Sequence, residues 1–223
     1  MVRSSELVRS EPAEIAEPSR DEGPKRRQIL DGARKVFLAD GFDAASMNEV
    51  ARRAGVSKGT LYVYFASKEE LFAELIREEK RVQAEQLCRF ETDDGDLRTT
   101  LKQFGVALLD LMLRPSSISH LRTVVAVAGR FPSIGQAFYE AGPEFGMKRL
   151  ARFFDRQVAQ GRLHIDDTDI AALHFAELCK SRHLLRAILA VCDRPSDAEI
   201  DAHVDRAVEV FFRAYGPEQA HRA

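Results

Sequence analysis

The side chains of this sequence best suited to chemistry lie between Ser46 and Lys68, and they are hydroxyls, ammonium groups and very small residues. Lys58 and Lys68 put a cation at each end of a segment that also carries Tyr62 and Tyr64, whose phenolic hydroxyls suit phosphate oxygens. Ser46 and Ser57 each stand where a helix can begin, and the unpaired N–H groups of a helix start can hold a phosphate. Gly59 and Thr60 have no side chain or a short one, so a helix carrying them could bring its backbone close to base edges in a major groove. Leu61 shares this segment and is a candidate contact. With Phe65 it also has the spacing of a small helical core. Tyr62 and Tyr64 are two residues apart and point in different directions, and half-buried packing is their alternative role. Of Arg52 and Arg53, one faces the groove and the other solvent, with either assignment open.

Other chemistries find little support. GVSKGT, starting at Gly55, resembles a phosphate loop, but the GxxxxGK[ST] spacing is absent and no strand precedes it. There is no GxSxG elbow and no HExxH pair, so an enzyme is not expected. Cys88, Cys179 and Cys192 are far apart, form no CxxC, and read as reduced, semi-buried helix residues. His174 with Glu177 offers two metal ligands at best, so neither a metal nor a cofactor is expected. No apolar run approaches the roughly 18 to 20 residues of a membrane helix, and the start lacks a secretory apolar core. The expected location is cytoplasmic, with no membrane partner.

The elements that must position these residues are helices, because apolar residues recur at spacings of three and four. The first carries Ile29, Ala33, Val36 and Phe37 and is expected to stop at Gly41. Ser46 and Glu49 form a capping-box pattern for a second, short helix ending at Gly55. Ser57 caps a third after a tight turn, which makes a helix-turn-helix. Ser67 and Glu70 repeat the box and open a long fourth helix with no linker before it. Leu97, Leu101, Phe104, Leu108 and Leu111 form a stripe ended by Pro115, and Pro132 and Gly142-Pro143 punctuate the helices after it. Two long helices, about 167–192 and 196–215, close the chain. The fold class is all-α: a three-helix head (24–66), then a larger helical domain (67–216), flanked by tails at 1–23 and 217–223. The first tail is expected to be disordered, being rich in Ser, Pro and Glu and poor in apolar residues.

Charge has the same division. The whole chain carries a formal −2, yet residues 24–68 hold nine bases against four acids, a local +5.

The segment AGVSKGTLYVYFASKEEL, Ala54 to Leu71, resembles the TetR family of regulators. Gly41-Phe42, Ser46, Val50-Ala51 and Tyr64-Phe65 agree with it in register. RFPSIGQAFYEAGP, Arg130 to Pro143, is similar to the sensor domains of an AefR-like branch. The resemblance implies a DNA-binding transcription regulator, most often a repressor, released from its operator by a small molecule held among the later helices. The candidate lining of such a cavity is Phe104, Leu108, Val124, Val127, Phe138, Met147, Phe154 and Leu178, with ordinary core as the alternative. An apolar or amphipathic effector suits it. Other readings are an activator, an effector-independent DNA binder, or a helical lipid carrier. One recognition helix reads too few base pairs for useful specificity, so a homodimer on an inverted repeat of double-stranded DNA is expected. Its interface is expected on the last two helices, at Leu184, Leu185, Ile188, Val204, Val208 and Phe211, although either stripe could pack within one chain.

Overall fold

The computed structural model describes residues 23–87 and 95–217, and these contain helices and no strand. Cys88 and the expected tails, apart from Gly23 and Pro217, lie outside them. The order is α1 (Pro24–Ala44), α2 (Met47–Ala54), α3 (Lys58–Tyr64), α4 (Lys68–Leu87), α5 (Leu97–Met112), α6 (Pro115–Ala128), α7 (Pro132–Tyr139), a π-helical turn (Glu140–Glu144), α8 (Phe145–Ala159), α9 (Thr168–Ile188) and α10 (Asp197–Tyr215). The all-α expectation holds.

Local chemistry explains most boundaries. Asp96, Asp167 and Ser196 cap α5, α9 and α10 by accepting from the third N–H of each helix, and only Ser196 belongs to a complete capping box. Pro115 and Pro132 occupy first turns, where a missing N–H costs nothing.

Several boundaries depart from expectation. The first helix leaves helical geometry at Gly41 (φ 72°), but the chain then makes another turn to Ala44. Ser46 Oγ accepts from Glu49 N at 3.2 Å, while the Glu49 carboxylate turns to Arg52 and Arg53 instead of closing the box. Glu70 reaches back to Ala66 N at 2.8 Å rather than to Ser67. α9 is kinked at Ser181 (φ 30°) and stops at Ile188, so Cys192 falls in the connection to α10 and not on a helix. Cys179 is fully buried in α9, and burial pushes its thiol up to about 12, which keeps it inert.

Two apolar cores organise the chain. The first joins Ile29, Val36, Val50, Leu61 and Phe65 of the head to Leu71, Phe72 and Leu75 of α4, and continues onto Val124, Val127, Ile134 and Ala137 of α6 and α7. The second stacks α5, α8, α9 and α10 around Phe104, Phe154, Phe175 and Phe211, with Phe154 and Phe211 at 5.0 Å and Phe175 and Phe211 at 5.1 Å. α4 touches both regions.

Candidate DNA-binding head and effector cavity

The turn between α2 and α3 is only Gly55, Val56 and Ser57. Gly55 adopts the left-handed conformation (φ 65°, ψ 38°) open to glycine without strain, and this aims α3 away from α2. Ser57 Oγ accepts from Thr60 N at 3.0 Å and meets Thr60 Oγ1 at 2.8 Å, so its hydroxyl serves the cap. At Gly32 a Cβ would come within 2.6 Å of Ala54 Cβ, so the missing side chain lets α1 and α2 meet backbone to backbone.

α3 divides into two faces. Leu61 is fully buried and Phe65 nearly so, which corrects the placing of Leu61 among contacts: it is the anchor of the helix. Lys58, Gly59, Tyr62 and Tyr64 lie on the open side, with Thr60 half-buried. Lys58 Nζ sits 5.9 Å above the Tyr62 ring. A side chain at Gly59 would meet nothing nearer than Ser57 Oγ at 3.8 Å, so the space outside this residue is open. Sequence reasoning missed Val63, which is 83% exposed on this open side. Its signal was the period itself, since residue 63 is one turn from Gly59 and Thr60 and off the Leu61–Phe65 row. Ser46 is exposed at the start of α2.

Lys68, expected to hold a phosphate, is engaged within the head. Its ammonium donates to the carbonyls of Phe42 (2.8 Å), Asp43 (3.2 Å) and Ala45 (3.0 Å) and lies 4.7 Å from the Phe42 ring centre. The break at Gly41 leaves carbonyls without helical partners, and Lys68 gathers them. Arg52 and Arg53 are both exposed and both bound to Glu49, whose carboxyl is held below its usual range chiefly by the Arg52 hydrogen bond.

Ion pairs fix the head to α4. Arg34 donates to Glu79 at 2.9 Å and to Glu78 at 3.4 Å, and Arg26 meets Glu74 at 2.8 Å. Phe42 packs on Phe131, just before α7, at 5.5 Å, and Arg130 pairs with Asp43.

Beyond the head, α4 to α9 line a half-open cavity of about 560 Å³. Its walls include Leu87 of α4, Leu108, Leu111 and Met112 of α5, Leu121 of α6, Phe138 of α7, Met147 of α8 and Leu173 of α9. Of the expected lining, Leu108, Phe138 and Met147 are present. Phe104, Phe154 and Leu178 instead belong to the second core, and Val124 and Val127 to the core shared with the head. These five sit on faces turned to neighbouring helices, a choice that helical spacing alone leaves open.

The expected dimer residues also divide. Val204, Val208 and Phe211 are buried in the monomer's second core, which corrects that stripe. Leu184 lines the cavity, Ile188 is half-buried and Leu185 is 61% exposed. Leu189, Val191 and Val210 are exposed as well. His174 pairs with the Tyr215 hydroxyl at 2.6 Å, and Glu177 pairs with Lys180.

An open-faced third helix on a braced head, followed by a helical domain with a cavity between its helices, defines a helix-turn-helix regulator with a sensor domain. Residues 29–75 match the model of bacterial regulatory proteins of the tetR family, and residues 99–217 match the AefR-like transcriptional repressor C-terminal domain. The chain belongs to the TetR family and is a DNA-binding transcription regulator, not an enzyme. A TetR-family regulator from Mesorhizobium loti superposes with a TM-score of 0.79 at 29% identity, over 86% of this chain and 96% of that one. The flavonoid-responsive regulator FrrA gives 0.74 at 33%, over 87% and 98%. The HTH-type transcriptional repressor Rv1474c of Mycobacterium tuberculosis is 28% identical over 145 residues, which is 64% of this chain and 71% of that protein. The match to the A-factor receptor protein of Streptomyces griseus spans only 36% of that protein. Regulators of this family bind DNA operators, dimerise and respond to small molecules. Among the described residues no helix is long and apolar enough to cross a membrane.

Proposed function

We propose that this chain is a homodimeric, cytoplasmic repressor that leaves an inverted-repeat operator when an apolar or amphipathic small molecule enters the cavity behind α4. The observation that carries it is the double membership of α4: it packs in the head core through Leu71, Phe72 and Leu75 and lines the cavity through Lys80, Gln83, Ala84 and Leu87. A ligand that displaces the distal half of α4 moves the head with it, because Arg26 and Arg34 tie α1 to the same helix. Regulation then requires only that the two head positions differ in ligand affinity.

On the DNA side, Gly59, Thr60 and Val63 face base edges, and Lys58, Tyr62, Tyr64 and Ser46 hold phosphates. The dimer forms over the exposed apolar side chains Leu185, Leu189, Val191 and Val210. The repressor reading is favoured by the name of Rv1474c, and small-molecule control by that of FrrA. Footprinting of the protein on its own promoter, with and without extract of the producing cells, tests it. A protected inverted repeat that the extract clears is the expected result. A promoter that is never protected, at low salt and with a protein that binds a lipid stoichiometrically, would favour the carrier reading.

A further inference from the structure

The cavity's charged groups are unequal. Of its three lysines, Lys148 pairs with Glu144 at 2.9 Å and Lys180 pairs with Glu177. Lys80 has no carboxylate partner among the described residues: it donates to Gln83 Oε1 at 3.0 Å and stands 4.6 Å above the Phe138 ring. The π-helical turn presses on its stem, since a Cβ at Gly142 would lie 3.2 Å from Lys80 Cδ. The stem is packed against the turn, and the ammonium rests at the seam of α4 and α7. Burial pushes its pKa down, and the attraction of nearby Glu79 offsets this only in part. Ser117, which also lines the cavity, has a buried hydroxyl without a hydrogen-bond partner among the described residues. Buried polar groups left like this are uncommon and call for a partner.

Resting on the effector-cavity reading proposed for this chain, we infer that the ligand carries an anionic oxygen group, a carboxylate or an ionised phenol, which pairs with Lys80 while its apolar body fills the space among α5, α8 and α9. A neutral amphipath would fill the same space and leave Lys80 without a direct ion pair. The anion docks where α4 and α7 join, and Phe138 there packs against the head's own core, so recognition of the charge and displacement of the head fall on the same contact.

Two pairs of probes distinguish the sources of the anion: dodecanoate with dodecan-1-ol, and 7-hydroxyflavone with its 7-methyl ether above the pH at which the phenol ionises. Calorimetric titration of wild type, Lys80→Arg and Lys80→Met, each first shown by its melt to be folded, measures all four. Wild type is expected to favour the anionic member of one pair, and the pair that shows it identifies carboxylate or phenolate. Lys80→Met is expected to cut that member's affinity by roughly tenfold to a hundredfold, the worth of a charge-assisted contact, and to leave its neutral twin unchanged. Lys80→Arg is expected to keep the preference. If each neutral probe binds as tightly as its anion, or Lys80→Met weakens both alike, the inference is overturned and the cavity remains an effector site. If none of the four binds, the inference and the apolar-effector reading both fall, while promoter binding still judges the DNA-binding role separately.

Discussion

In the head, the polar side chains that bridge helices find partners: Arg34 reaches Glu78 and Glu79, Lys68 gathers three carbonyls, and Gln28 donates to Ala54 O at 2.6 Å. Around the cavity satisfaction is incomplete: Lys148 and Lys180 have carboxylate partners, but among the described residues Lys80 meets no carboxylate and Ser117 Oγ has no hydrogen-bond partner, and a π-helical turn forms part of the wall. Satisfied networks rigidify a unit, while buried polar groups without partners favour whatever later supplies them. The head is built to move as one piece, and the sensor domain is built to respond.

The sharpest way to break this comparison is to damage the sensor domain's core and its exposed apolar face separately. Phe211→Ala, in the aromatic centre of the sensor domain, is expected to cost about 3 to 5 kcal/mol of folding stability. Chemical denaturation would show it as a lower midpoint. Leu185→Glu together with Leu189→Glu is expected to leave the melt of the monomer nearly unchanged and to shift the sedimentation profile from dimer towards monomer. If Phe211→Ala separated subunits that stayed folded, the assignment of α10's stripe to the monomer core would be wrong.

Two lysines of the head separate folding from DNA binding. Lys68→Ala removes three charge-assisted hydrogen bonds and is expected to destabilise the head by about 1.5 to 3 kcal/mol. Lys58→Ala should leave stability within about 0.5 kcal/mol, as exposed positions usually do. It should also flatten the slope of log affinity against log salt by roughly one unit. Melts and salt titrations of both variants check the contrast, and the reversed outcome would return Lys68 to the phosphate backbone.

Gly59→Leu tests the open face of α3. The structure has room for the side chain, so the fold should persist while specific affinity falls by about 1 to 3 kcal/mol. In a binding-site selection, an unchanged preferred sequence would mean that α3 is not the reading helix. The smallest effect is expected from Ser117→Ala, which removes an unsatisfied hydroxyl: a chemical melt should show stability unchanged or slightly raised.

The head was legible because its signals are local. Ser46, Gly55, Ser57 and Ser67 mark turns and caps within four residues of their partners, and the Leu61–Phe65 spacing shows which side of α3 is buried. The carbonyl partners of Lys68 were not legible because they lie 23 to 26 residues away, at a break whose free carbonyls no local pattern displays. The sensor domain was legible as helices but not as a cavity. Phe104 and Leu108 fall on one stripe of α5, yet only Leu108 borders the space, since the crossing of α9 and α10 decides which end of the stripe is covered. Val204, Val208 and Phe211 show the same limit: an apolar stripe declares that it will be buried, not by which chain.

The central claim is that cavity and DNA face are two ends of one equilibrium set by α4, and thermodynamic linkage makes it measurable. Calorimetric titration of whichever anionic probe binds, with and without saturating operator DNA, should give affinities that differ by about 5- to 150-fold, the range of typical coupling energies. The same factor must separate operator affinities with and without that probe. Equal probe affinities in the two titrations would contradict the account, leaving a cavity that binds but does not switch.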